Sequence, residues 1–215
     1  MSISLKDNFF KRVATVIIFV PIIVTSILFG GYLLFLTFIL LLCFAIDELF
    51  TMLKGSKNIW IYYLYIIISV FAFYSFILLI SNYPNLSYLF IEIIFIIWIF
   101  DTFCYLGGTI LKGKKLMPNI SPGKTINGLI TGIAITNLVI LFYSYFNSND
   151  LYLSFLISNI VILLSFIGDV FASLLKRDAG IKDSGNLLPG HGGIVDRMDS
   201  FIFVFFVVGI YFSLL

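Results

Sequence analysis

Residues 59–80 read IWIYYLYIIISVFAFYSFILLI, 22 positions without a single charge. Coiled as a helix, such a run is about 33 Å long, the thickness of a bilayer's hydrocarbon core. Six more apolar runs follow the same habit, at 13–29, 32–46, 86–106, 126–146, 151–175 and 200–215. They are continuous rather than alternating with period two, which predicts helices and excludes a membrane barrel. With 61% of residues hydrophobic, 11% charged and a mean hydropathy of +1.13, a water-soluble core is excluded as well. The expected fold class is therefore an all-α polytopic integral membrane protein of about seven transmembrane helices. The runs at 13–29, 32–46 and 200–215 are short for a span. The first two, joined by Gly30-Gly31, stand open between two spans and a re-entrant hairpin.

Charge sets the orientation. With the N-terminus in the cytoplasm, the inner segments are 1–12, 47–58, 107–125 and 176–199, and they hold all 13 Lys and Arg residues. The outer segments "GG", "SNYPN", "NSND" and the C-terminus hold none, so the positive-inside rule predicts N-in/C-out. Lys11-Arg12 before an apolar run resembles a secretory signal, but no small-x-small cleavage site follows. Cys43 and Cys104 both fall in apolar runs, which predicts two buried thiols and neither a disulfide framework nor a thiolate metal site. Both long polar loops, 107–125 and 176–199, share the cytoplasmic face, so an active site there would use cytosolic substrates.

Residues 173–199, SLLKRDAGIKDSGNLLPGHGGIVDRMD, concentrate eight charges and the lone His191 between apolar runs. Just upstream, Asp169, Ser173 and Lys176/Arg177 recur at i, i+4 and i+7/8, on one helical face. Asp169 lies roughly 10 Å inside the run's end, where a carboxylate costs about 2.5–3.5 kcal/mol and needs a cation, a base or water. A simple pairing with Lys176 or Arg177 is the plain alternative. Asp196 and Asp199, at i and i+3, share a face if a helix begins near Val195, and helix capping competes with ion binding as their role. Gly190, Gly192 and Gly193 let backbone amides approach a ligand closely. Three carboxylates among Lys176, Arg177, Lys182 and Arg197 suit a hard divalent cation carrying phosphates, with His191 a candidate donor to phosphate. In the other loop, Ser121, Lys124 and Thr125 precede a span, a helix N-terminus suited to anions with Thr125 as its cap. The text GKT there is not a Walker motif, since position 118 is Pro where that motif has Gly. Gly128 and Gly132 read as a helix-packing pair. Asp101 reaches the layer of Asp169, whereas Glu92 lies on the opposite face and reads as structural.

Residues Ser173, Leu175, Lys176, Arg177, Lys182, Asp183, Gly185, Leu188, Pro189, His191, Gly192, Gly193, Ile194, Asp196, Arg197, Met198 and Asp199 fit one pattern. It has the form S-x-apolar-K-R-x4-K-D-x-small-x2-apolar-P-x-H-G-G-apolar-x-D-R-apolar-D. With DTFCY at 101–105 and SPGKTING at 121–128, the chain resembles the phosphatidate cytidylyltransferase (CDP-diacylglycerol synthase) family. The resemblance is firm over 100–199. It divides one integrated domain into N-terminal membrane helices (1–99), poorly matched to the family, and a catalytic membrane region (100–215). Cys104, Gly123, Asn127 and Ala172 depart from the family's Ala, Lys, Glu and acidic residue.

What the resemblance implies is transfer of a cytidylyl group from CTP to phosphatidic acid, with Mg2+ as cofactor and a second cation such as K+ in the same site. Asp169 and Asp196 would hold Mg2+, with Asp199 ligating it directly or through another group. Lys176, Arg177, Lys182 and Arg197 would bind phosphates, with Asp183 and His191 also in the catalytic set. Asp101, Ser121, Lys124, Thr125, Asn127, Ser173, Gly192 and Gly193 would bind substrate. The expected partners are CTP, phosphatidic acid and the bilayer, without nucleic acid, in the cell's inner membrane; the oligomeric state stays open between monomer and homodimer. A CDP-archaeol synthase, a polyprenol kinase, an inactive paralogue and an ion transporter are the rival readings.

Overall fold

A computed structural model describes residues 2–188 and 192–214, with the backbone alone at 2–14 and 16. Its described residues form seven helices and one hairpin: α1 (Ser2–Phe29), α2 (Gly31–Leu53), α3 (Ile59–Asn82), α4 (Leu86–Ile110), β1 (Lys115–Met117), β2 (Ser121–Thr125), α5 (Ile126–Phe146), α6 (Leu151–Asp178) and α7 (Val195–Ser213). Five of them, α2 to α6, are long and apolar enough to cross a membrane. The protein is thus a largely helical membrane protein. The hairpin is a departure from an all-α reading: β1 and β2 pair antiparallel, Lys115 opposite Thr125 and Met117 opposite Ser121. Helices also run past the apolar text, α1 and α2 spanning 28 and 23 residues. Between them, Gly30 and Gly31 take φ of 63° and 54°, left-handed backbone that breaks the helix at no steric cost.

Lipid provides no hydrophobic drive between helices, so contact depends on close packing and internal hydrogen bonds. The centre is aromatic. Phe76 of α3 stacks on Phe205 of α7 at 4.4 Å and meets Phe38 of α2 at 4.5 Å and Phe90 of α4 at 4.7 Å. Pairs of this kind contribute about 0.5–1.5 kcal/mol each beyond buried area. Tyr62 of α3 donates to the Leu175 carbonyl of α6 at 2.6 Å. Between α5 and α6, Asn137 and Asn159 exchange side-chain hydrogen bonds and Ser158 donates to Asn137.

Glycines set the closest approaches. A Cβ at Gly128 would meet the Cys104 carbonyl of α4 and one at Gly132 the Cys104 sulfur, so this pair packs α5 on α4 as its spacing predicts. Cys104 is half-buried, but Cys43 lies exposed on the outer face of α2, a correction to the expectation of two buried thiols. The Leu34, Phe38, Leu41 and Ala45 stripe of that helix faces the core instead.

Gly168 of α6 seats against the Asp199 carbonyl of α7, which brings Asp169 beside the start of α7. Gly168→Ala has no room for its methyl there. We expect it to destabilise the detergent-solubilised protein by about 1–3 kcal/mol, read by thermal unfolding; an unchanged melting curve would show that the two helices do not touch at this point.

Candidate active site

Three pieces of chain meet at one end of the bundle: the last turns of α6, the loop into the first turn of α7, and the β1–β2 hairpin. Each is held by a charge that needs a partner. Asp169, partly buried on α6, does not pair with Lys176 or Arg177. Its partner is Lys124 of β2, with Nζ to Oδ2 at 2.6 Å, while Lys124 also lies 4.8 Å from the centre of the Phe166 ring. Ser173, one turn on, donates to Asp169 Oδ1 at 3.4 Å. Lys176 is buried and pairs with Asp196 at 2.7 Å. The second oxygen of Asp196 accepts the amides of Ser184 at 2.8 Å and Gly193 at 3.0 Å. The helix does begin at Val195, so Asp196 and Asp199 share its opening turns as their spacing predicts.

Asp199 is buried, with Oδ1 accepting the Ser200 amide at 2.8 Å. It lies within electrostatic reach of Asp169, as does Asp101 of α4. Tyr65 of α3 completes this layer. Its ring is fully buried, its hydroxyl has no hydrogen-bond partner among the described residues, and it lies within electrostatic reach of Asp169, Asp196 and Asp199. A cavity of about 530 Å3 opens beside these groups. Asp101, Asp196, Arg197 and Asp199 form its polar end, and Phe19, Ile23, Phe38, Trp98, Phe201 and Phe205 its apolar body.

The other expected site residues divide by role. Thr125 caps α5, its side-chain oxygen accepting the Gly128 amide at 3.1 Å, as expected. Ser121 lies half-buried in β2, next to the turn held by Arg177. Arg177 ties hairpin to loop: Nε donates to the Ile120 carbonyl at 3.0 Å and Nη1 to that of Ile181 at 2.8 Å. Asn127 donates to the Leu111 carbonyl at 3.4 Å and packs against Gly113, whose φ is 112°. Lys182 and Asp183 are exposed on the loop. Gly192 takes φ of 88° and bridges back to Leu188. His191, with Pro189 and Gly190, lies outside the described residues.

Two carboxylates escaped the sequence reading. Glu48 of α2 is buried under the loop. Asp178, at the end of α6, accepts the amides of Lys57 and Asn58 and so fixes the start of α3. Glu48 sits in no motif and Asp178 falls at a variable position of the signature, so only their occurrence at the polar ends of apolar runs could have flagged them. Glu92 donates nothing to this layer; its carboxylate accepts from Tyr143 at 3.2 Å in a separate pocket.

Comparison with known proteins gives a consistent result. A model described as the cytidylyltransferase family matches residues 55–215. The phosphatidate cytidylyltransferase of Rickettsia bellii is 37% identical over 220 residues, covering 96% of this chain and 93% of the relative. That of Rickettsia prowazekii is also 37% identical, over 219 residues, 96% of this chain and 94% of the relative. That of Staphylococcus haemolyticus is 46% identical over 112 residues, 51% of this chain and 43% of the relative.

The Lys176–Asp196 pair makes the site's own stability testable. Removing one member of a buried pair leaves an uncompensated charge and costs about 3–5 kcal/mol. Lys176→Met should therefore melt well below the wild type. Lys176→Met/Asp196→Asn should recover part of that loss; a double variant no more stable than Lys176→Met would mean the two groups are not coupled.

Proposed function

This chain belongs to the cytidylyltransferase family, and from that premise we propose that it transfers a cytidylyl group from CTP to phosphatidic acid, forming CDP-diacylglycerol and pyrophosphate. The observation that carries the reading is the cavity whose apolar body ends in Asp101, Asp196, Arg197 and Asp199. A lipid whose anionic head is met by Arg197 and bridged to these carboxylates by a cation suits such a space, its acyl chains lying among the phenylalanines.

In the reaction an oxygen of the lipid phosphate attacks the α-phosphorus of CTP. A new P–O bond forms as the bond between the α-phosphorus and its bridging oxygen breaks, and pyrophosphate leaves with the electron pair. The attacking oxygen is already ionised, so no general base is required. The obstacle is repulsion between two anions, and the chain's task is to offset it. Arg197 sits at the polar end of the cavity, where a lipid phosphate would enter. Lys124 and Lys176 carry the positive charge that now neutralises Asp169 and Asp196. With substrate phosphates present, both ammonium groups have a second anion within reach. Hairpin and α5 N-terminus would face the nucleotide, with Lys124 at its inner end.

The donor set fits a hard divalent cation. Asp169, Asp196 and Asp199 offer oxygen alone, and the buried Tyr65 hydroxyl has a free donor toward the same layer. Among the described residues no three ligating side chains gather closely enough to hold an ion unaided. Mg2+ commonly takes one or two carboxylates and completes its shell with substrate phosphates, so this set suits it. Bound there, Mg2+ would withdraw charge from the phosphoryl oxygens and draw the two substrates together.

Topology and location follow the charge distribution: seven spans, N-in/C-out, with the site on the cytoplasmic face of the inner membrane. An engineered cysteine at Asn149, in a Cys43→Ser/Cys104→Ser background, should react with an impermeant maleimide on intact cells. One at Lys114 should react only after permeabilisation; labelling of Lys114→Cys from outside would invert the topology.

For activity, purified protein incubated with labelled CTP, Mg2+ and phosphatidic acid should yield CDP-diacylglycerol and pyrophosphate. Release of CDP instead would identify a kinase. Asp169→Asn should lower kcat by about a hundredfold or more while the protein still inserts; near-normal turnover would remove Asp169 from the reaction.

A further inference from the structure

Glu48 belongs to α2, upstream of the residues that the family model matches, yet it reaches the centre of the signature loop. Its carboxylate is buried and accepts three hydrogen bonds: from Ser184 Oγ at 2.7 Å, the Ile194 amide at 2.8 Å and the Val195 amide at 3.0 Å. The two amides open α7, a helix without a side-chain cap from its own N-cap residue. Helix N-termini leave such donors unsatisfied, and a carboxylate there also meets the positive end of the helix dipole. Glu48 therefore does from a distant helix what a capping residue does locally.

Two glycines of the loop show how closely it is seated. A Cβ at Gly185 would stand 2.7 Å from Glu48 Oε1, and one at Gly193 would run into both carboxylate oxygens. Neither glycine is among those with positive φ, so the approach of Glu48, joined at Gly193 by the Ser184 hydroxyl, rather than backbone freedom, leaves no room for a side chain. Ser184, which Glu48 holds by its hydroxyl, gives its amide to Asp196, as does Gly193 next to Ile194, and Asp196 and Asp199 ride on the turn that Glu48 caps.

We infer that Glu48 is a positioning residue for the reaction. It fixes the height and rotation of the first turn of α7, and through it the carboxylates of Asp196 and Asp199 relative to Asp169. The inference rests on the cytidylyl-transfer reading for what is counted as turnover. Its structural content stands apart from that reading.

The test combines kinetics with amide hydrogen exchange on the full-length protein in detergent. Glu48→Gln keeps the shape but turns an NH2 group toward groups that are donors themselves. Exchange at Ile194 and Val195 should quicken, and kcat per folded molecule should fall about tenfold or more, with KM for CTP within about twofold. A merely structural role would lower the folded fraction and melting temperature while leaving kcat per folded molecule intact. Gly185→Ala removes no polar group and should produce the same pair of changes by displacing Glu48. In a Glu48→Ala background, Gly185→Ala should add nothing, because the two act through one contact. Wild-type kcat in Glu48→Gln, or additive losses in the double variant, would overturn the inference. If Glu48→Gln fails to fold, Gly185→Ala carries the same kinetic and exchange comparison. A wild type inert toward CTP and phosphatidic acid would defeat the proposed reaction alone, since amide exchange reads Glu48 without turnover.

Discussion

A carboxylate at the edge of lipid must find a partner, because leaving it charged and alone costs several kcal/mol. That requirement organises the polar end of this bundle. Asp169 on α6 takes Lys124 from β2, Asp196 on α7 takes Lys176 from α6, and Glu48 on α2 takes the amides that open α7. Asp178 adds the start of α3. Each partnership joins segments distant in the chain, so satisfying the charges also assembles the site. The aromatic contacts around Phe76 hold the helices together in their middle, but they say nothing about chemistry.

The same economy of charge bears on function. Two lysines neutralise two aspartates, and Asp199 and the Tyr65 hydroxyl lie buried in the same layer. Under the proposed reaction, phosphates and a cation would replace each pairing with another of opposite sign. The adjoining cavity, polar at one end and apolar along its length, suits a substrate that remains in the bilayer while its head group reacts. A water-soluble acceptor would have no use for a wall of phenylalanines.

Much of this was legible from residue order. The helical runs appear as predicted, with α3, α4, α5 and α6 beginning within a residue or so of the apolar text. Val195 begins its helix and Thr125 caps α5, because both depend on local backbone chemistry that spacing records. The helix-packing role of Gly128 and Gly132 was readable for the same reason. The hairpin was not, since three- and five-residue strands rich in Lys, Pro and Gly have no alternating apolar pattern. The partner of Asp169 was not either: helical spacing favours Lys176 and Arg177, but the folded chain sends one to Asp196 and the other to backbone carbonyls.

By itself, then, the sequence determined a helical membrane protein with its basic residues gathered in the segments between apolar runs and a cytidylyltransferase signature in one of them. Apolar length, charge placement and motif spacing are one-dimensional properties, and they survive without knowledge of the fold. Only the tertiary structure decided which lysine meets which aspartate, that Cys43 faces outward, and that Glu48 supports the loop. Those choices depend on distances between segments that lie from 20 to 147 residues apart in the chain, and a carboxylate's partner is whichever donor the packing brings within about 3 Å.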